Sequence, residues 1–121
     1  MRAAATVLVL AAACTVATPG VSTASGHARQ PTLTIRMGDF FYKPSSATVH
    51  VGQKVRFVNV GKIAHTVADT DRKGNVRSKL IQPRALEHGQ SQTVTFARPG
   101  VVHYLCTFHP TLMRGTITVV R

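Results

Sequence analysis

The chain has 121 residues, with 15 Lys and Arg against 4 Asp and Glu, 6 His, 2 Cys and no Trp. That length suits one ordinary domain, and 44% hydrophobic with 16% charged residues is enough for a core, which excludes a wholly disordered chain. No apolar run reaches the roughly 18 residues of a membrane-spanning helix, and there is no heptad pattern and no Gly-rich phosphate loop.

In chain order, Met1-Arg2 supplies a positive charge and Ala3 to Ala13 is small and apolar apart from Thr6. A small-residue exit follows, so the segment is read as a secretory signal peptide, cleaved after Ala24 or Ala28. A buried N-terminal helix is disfavoured because nothing there is amphipathic. Ala11-Ala12-Ala13-Cys14 offers an alternative, a lipobox-like end in which Cys14 becomes a lipidated first residue and the chain's membrane anchor. Pro19 to Ser25 has the composition of a flexible linker. The expected division is therefore signal and linker over 1–28 and one domain over 29–121.

Export implies an oxidising compartment, where structural cysteines pair. With Cys14 removed or lipidated, Cys106 has no partner in the domain. Such a thiol is incidental, paired between molecules, or held by a metal.

The remainder reads as β-structure. Thr32–Met37 alternates, with Leu33, Ile35 and Met37 on one face. Lys54–Asn59, Gln92–Phe96 and Gly115–Val119 alternate likewise, and shorter runs at 47–51, 64–68 and 101–106 add strands. Gly52, Gly89 and Pro99-Gly100 mark turns between them. Seven to eight short strands predict an all-β fold, a two-sheet Greek-key sandwich or barrel. Phe40-Phe41-Tyr42 is expected in the core, with Pro44 near one end of the barrel. The polar, basic stretch from Asp69 to Glu87 is expected as a surface excursion with a helical turn near Arg84–Glu87. Its Asp69-Thr70-Asp71 lacks the ligand count of a calcium loop.

The chemistry lies in two segments. Cys106-Thr-Phe-His109-Pro-Thr-Leu-Met113 places a thiol, an imidazole and a thioether within eight residues of a strand end. Soft sulfur donors with imidazole select copper, and two His with one Cys and a weak axial Met is the blue-copper arrangement. The second His is supplied by Asn59-Val-Gly-Lys-Ile-Ala-His65-Thr-Val67, at the start of another strand. The bland alternatives are an inert buried Cys106, ordinary His65 and His109, and a core-packing Met113. His27, His50, His88 and His103 are read as solvent-facing or structural.

Nearly the whole domain resembles the cupredoxins of the plastocyanin, amicyanin and pseudoazurin type. The likeness is carried by Asp39-Phe-Phe-Tyr-Lys-Pro44, by Val49-His-Val-Gly-Gln-Lys-Val-Arg-Phe-Val-Asn59, by His65-Thr-Val67, and by Tyr104-Leu-Cys106-Thr-Phe-His109-Pro110 with Met113-Arg-Gly115. It implies one copper ion in a type 1 site, with His65, Cys106, His109 and Met113 as ligands. Two residues separate Pro110 from Met113 where the amicyanin-like subgroup has one. The resemblance further implies single-electron transfer, with backbone N–H groups near Thr66 donating to the Cys106 sulfur. His109 would be the electron port, inside an apolar patch of Phe108, Pro110, Leu112 and Pro44.

Without Arg2 the chain keeps 14 basic against 4 acidic residues, a field that steers encounter with an acidic redox protein. Export and the scatter of the basic residues, without interleaved aromatics, argue against nucleic acid. A monomer is expected. Two alternatives use the same domain: a copper-delivery protein that exchanges metal, and an interaction module without a redox role. The length excludes a multicopper oxidase, and no base or water site for an enzymatic reaction is legible.

Overall fold

A computed structural model describes residues 30–121. The signal-peptide and Cys14 readings, and the domain's start at residue 29, lie outside the described residues. Eight strands form in chain order: β1 (Leu33–Gly38), β2 (Phe41–Lys43), β3 (Ser46–His50), β4 (Val55–Asn59), β5 (Ala68–Thr70), β6 (Ser91–Val94), β7 (Gly100–Leu105) and β8 (Arg114–Val120). One sheet has the order β2-β1-β4-β6 and the other β3-β8-β7-β5. The all-β, two-sheet expectation holds.

Alternation sets which face each strand buries. Ile35 and Met37 of β1, Val55 and Phe57 of β4, and Ile117 and Val119 of β8 all point inward. β1 runs parallel to β4, with Ile35 opposite Phe57, and β3 runs parallel to β8, with Val49 opposite Val119. The two inner faces meet in one core that includes Tyr42, Phe57, Tyr104, Cys106 and Met113. Three aromatic rings cross edge-to-face at its centre, with centroids 4.8 Å apart for Tyr42–Tyr104 and 5.3 Å for Phe57–Tyr104. Gly115 lets Tyr104 lie against the backbone of β8, since a Cβ there would collide with the phenol.

The two buried phenols differ in satisfaction. Tyr42 Oη donates to the Thr66 carbonyl at 2.7 Å, whereas the Tyr104 hydroxyl has no partner among the described residues. Burial pushes both phenols far above the ordinary tyrosine range. Tyr42→Phe should therefore cost about 1–2 kcal/mol, and Tyr104→Phe should be neutral or stabilising. Urea unfolding of the two variants checks this; equal midpoints would contradict it.

Five local expectations need correction. Residues 64–67 are not a strand: the Thr66 N–H is spent on Cys106 Sγ and its carbonyl on Tyr42, leaving neither for a ladder. The ladder begins only at Ala68, and His65 makes an isolated bridge to Leu86. Phe40 and Phe41 are half-exposed, at 47% and 49%, and only Tyr42 enters the core. Phe41 instead lies over Gly38, where any Cβ would meet its ring. No helical turn forms at 84–87. The 69–87 excursion is also not purely surface, because Ile81, Leu86 and Asp69 are buried. The Asp69 carboxylate accepts N–H bonds from Lys79, Leu80 and Ile81 at 3.3, 3.0 and 2.8 Å, which pins the returning chain to β5. Finally, the β6 strand ends at Val94, although Phe96 is still buried beyond it.

Candidate metal centre

Two segments and one turn meet at the end of the sandwich where β7 stops. The first segment is the loop from Cys106 to Met113, closed at its neck by the Cys106 N–H donating to the Met113 carbonyl at 3.0 Å. Inside it the His109 N–H reaches the Cys106 carbonyl (3.2 Å) and the Met113 N–H reaches the His109 carbonyl (3.0 Å). These bonds close a tight loop that carries the Cys106, His109 and Met113 side chains. Cys106 and Met113 are fully buried in the same core cluster, while His109 is half-buried.

The second segment, 59–67, carries His65. Its backbone exchanges two bonds with Leu86, at 3.1 and 2.9 Å. Fully buried Asn59 braces both sides: its Nδ2 donates to the carbonyls of Leu86 (2.6 Å) and Ile63 (2.8 Å), and its Oδ1 accepts from the Gly61 N–H (2.8 Å).

His65 is buried completely, with its Nδ1 3.9 Å from Cys106 Sγ. The sulfur also receives the Thr66 N–H at 3.4 Å and the Thr66 hydroxyl at 3.7 Å. That hydroxyl is held in place by the Thr107 N–H (2.8 Å). The expectation of backbone donation near Thr66 is met.

The turn between β1 and β2 entered the sequence reading only through the Asp39–Pro44 motif, and Asp39 was not among the expected site residues. Asp39 Oδ1 lies 3.0 Å from His65 Nε2. The same carboxylate accepts the Lys62 N–H at 3.0 and 3.2 Å and the Ile63 N–H at 3.4 Å. The hydrogen bond from His65, with the backbone donors, holds the Asp39 carboxyl below the usual carboxylate range, so it is ionised and accepts only. A carboxylate oxygen only accepts, so the 3.0 Å contact is read as the His65 Nε2–H donating to Asp39, with Nδ1 on the side of Cys106. The next residue, Phe40, sits at φ +74°, a left-handed conformation that costs a bulky side chain about 1–3 kcal/mol. Its ring meets His109 edge-on with centroids 4.8 Å apart. One signal was available: Asp39 is one of only four acidic residues in the chain.

These spacings suit one ion. Two imidazoles bound at about 2.0–2.1 Å stand with centroids roughly 5 Å apart, and a thiolate at about 2.3 Å stands roughly 3.5–4 Å from a nitrogen on the same ion. His65 and His109 are 5.6 Å apart by centroid, and Cys106 Sγ is 3.9 Å from His65 Nδ1. Among the described residues, no three His, Cys, Asp or Glu side chains already converge as a finished site. The donor types are soft, two imidazoles with a thiol and a thioether, which suits copper over hard cations.

Residues 30–120 match the family of copper-binding proteins known as the plastocyanin/azurin family. The chain belongs to that family. Solved structures agree. A purple cupredoxin from Nitrosopumilus maritimus is 28% identical, covering 75% of this chain and 100% of that one, with a TM-score of 0.66. A reduced amicyanin variant is 26% identical, covering 74% and 82%, with a TM-score of 0.63. A Cu-containing nitrite reductase from Thermus scotoductus SA-01 is 28% identical over 76% of this cupredoxin but only 23% of that enzyme, with a TM-score of 0.62. No curated protein matches. As a cupredoxin the chain has the fold of copper-binding electron-transfer proteins and takes one copper ion in a type 1 site.

Proposed function

We propose that this cupredoxin is a monomeric single-electron carrier, not an enzyme, which works outside the cytoplasm and holds its copper through His65, Cys106, His109 and Met113. The observation that carries the reading is the buried Cys106 thiol, set between His65 Nδ1 and the Thr66 N–H with His109 and Met113 on the same loop. Copper in such a site supplies one-electron exchange between Cu(I) and Cu(II).

The chain's own residues do the rest. Cys106 binds as the thiolate, and the Thr66 N–H and hydroxyl stabilise charge on its sulfur, which favours the reduced state. The paired segments 59–67 and 106–113 hold the donors against movement between oxidation states. His109 is the exit for the electron, because it is half-buried beside the exposed rings and methyls of Phe40, Phe108 and Leu112. Phe40 packs against the port in the role expected of Pro44. Adding Cu(II) to the reduced, metal-free protein tests the reading. One equivalent should produce an intense thiolate-to-copper absorption that dithionite bleaches and oxidant restores. A pale complex that loses copper readily to a chelator would favour copper delivery instead.

The partner is an acidic redox protein, steered by the positive field, and the N-terminus is either cleaved or tethered through Cys14. Arg72, Lys73 and Lys79 are exposed and have no carboxylate partner among the described residues, whereas Arg77 is paired with Asp71 at 2.9 Å. Replacing Arg72, Lys73 and Lys79 together by Gln should slow oxidation by anionic hexacyanoferrate several-fold at low salt and little at high salt. Arg77→Gln should do less. A rate unchanged at both ionic strengths would remove the steering role.

A further inference from the structure

The turn that joins β1 to β2 touches both imidazoles of the centre through two successive residues. Asp39 accepts the His65 Nε2–H at 3.0 Å, and Phe40 covers the His109 ring at 4.8 Å. Neither contact follows from strand pairing. β1 and β2 pair through Arg36–Lys43, Met37–Tyr42 and Gly38–Phe41, which leaves Asp39 and Phe40 as the two free residues of the hairpin. A bulky residue at the left-handed φ of Phe40 persists only where its surroundings hold it. Here the Lys62 and Ile63 N–H groups clamp Asp39 from the other side.

We propose that Asp39 is a positioning residue for the copper centre, which fixes His65 as an Nδ1 donor and, through its negative charge on the imidazole, lowers the reduction potential, with Phe40 held beside it as the shield of His109. This rests on the copper reading above.

The physical reason is direct. A carboxylate accepting the outer N–H of a ligand imidazole makes the ring more electron-rich and so a better donor. The more highly charged Cu(II) gains more from that than Cu(I) does. The carboxylate is only part-exposed, its side chain at 32%, while the imidazole is wholly buried, so water screens the pair incompletely. The same bond excludes the other tautomer, whose protonated Nδ1 would face the sulfur and leave no lone pair on the inner side.

Three variants separate these parts. Asp39→Asn keeps an oxygen that can accept from Nε2–H but removes the charge. The copper spectrum should survive, and the Cu(II)/Cu(I) equilibrium should move about tenfold towards Cu(I), which is about 59 mV for one electron. Asp39→Ala removes the bond as well, and Cu(II) affinity should fall roughly 10- to 100-fold. Phe40→Gly relieves the strained φ and bares His109; it should leave the potential shift of Asp39→Asn unrepeated while copper loss to a chelator speeds up.

A readout without metal stands beside these. Imidazole nitrogen shifts of the metal-free protein should show His65 wholly as the Nε2–H tautomer in the wild type and mixed in Asp39→Ala. An Nδ1–H tautomer in the wild type, or equal potentials for wild type and Asp39→Asn, overturns the proposal. If Asp39→Ala does not fold, the Asn variant still decides. A wild type with the Nε2–H tautomer but no charge-transfer band would overturn the copper reading while leaving the positioning of His65 by Asp39 supported.

Discussion

Cys106→Ser should abolish the visible absorption of the copper-loaded protein and leave the fold intact. The thiol is wholly buried, and its sulfur is the one atom approached by His65 Nδ1, the Thr66 N–H and the Thr66 hydroxyl together. Intense visible absorption needs thiolate covalency, which an alcohol oxygen does not supply, and a hard oxygen is a poor donor for Cu(I). Copper affinity should fall by more than the roughly 10- to 100-fold typical of losing a residue that only supports a ligand. The metal-free variant loses a little packing but keeps an acceptor for the Thr66 N–H, so its unfolding free energy should drop by only about 1–2 kcal/mol. Absorption titration with Cu(II) beside urea unfolding of the metal-free proteins measures both. A variant that keeps the band would place the chromophore elsewhere. One that fails to fold would make Cys106 a structural thiol first.

The largest effect on stability is expected at a residue that binds no metal. Asn59→Ala should cost about 2–4 kcal/mol, because it deletes two buried hydrogen bonds and a part-buried one, while the Leu86 carbonyl and the Gly61 N–H keep one bond each, to the His65 N–H and the Met37 carbonyl. The Asn59 side chain is fully buried, so water does not replace the amide without opening the loop. Leu86 is also the backbone partner of His65 through two bonds, so losing the amide brace loosens the segment that carries His65, the ligand proposed outside the 106–113 loop. Copper affinity should therefore weaken along with stability, unlike in Tyr42→Phe, which touches only the Thr66 carbonyl. Denaturant midpoints of the metal-free and loaded proteins test this. A loss below about 1 kcal/mol would mean that the 59–65 turn closes without its amide brace.

Much of this was legible in the chain itself where the governing physics is local. A strand that buries one face must alternate, so Thr32–Met37, Lys54–Asn59 and Gly115–Val119 announced themselves as strands, and inward Ile35, Phe57 and Ile117 followed from parity alone. Three candidate ligands lie within eight residues because a short loop must present them together, and a lone thiol in such company needed a reason. The misreadings fall where side chains reach across the molecule. Residues 64–67 have a strand's composition, but Thr66 gives its N–H to Cys106, 40 residues away, and its carbonyl to Tyr42, 24 residues away. The apolar look of Phe40-Phe41-Tyr42 hid a corner at which only Tyr42 turns inward.

The sequence by itself determined the all-β class, the inward faces of its long strands, and the thiol, imidazoles and thioether offered to copper, since each depends on residue type and on spacing along one segment. Only the tertiary structure decided that Asp39 meets His65 across 26 residues, that Asn59 braces both sides of the His65 turn, and that Asp69 and Ile81 are buried in a stretch that reads as polar surface. Those contacts exist because two sheets pack face to face and bring their end turns together, and no periodicity within a strand records which turn will lie beside which.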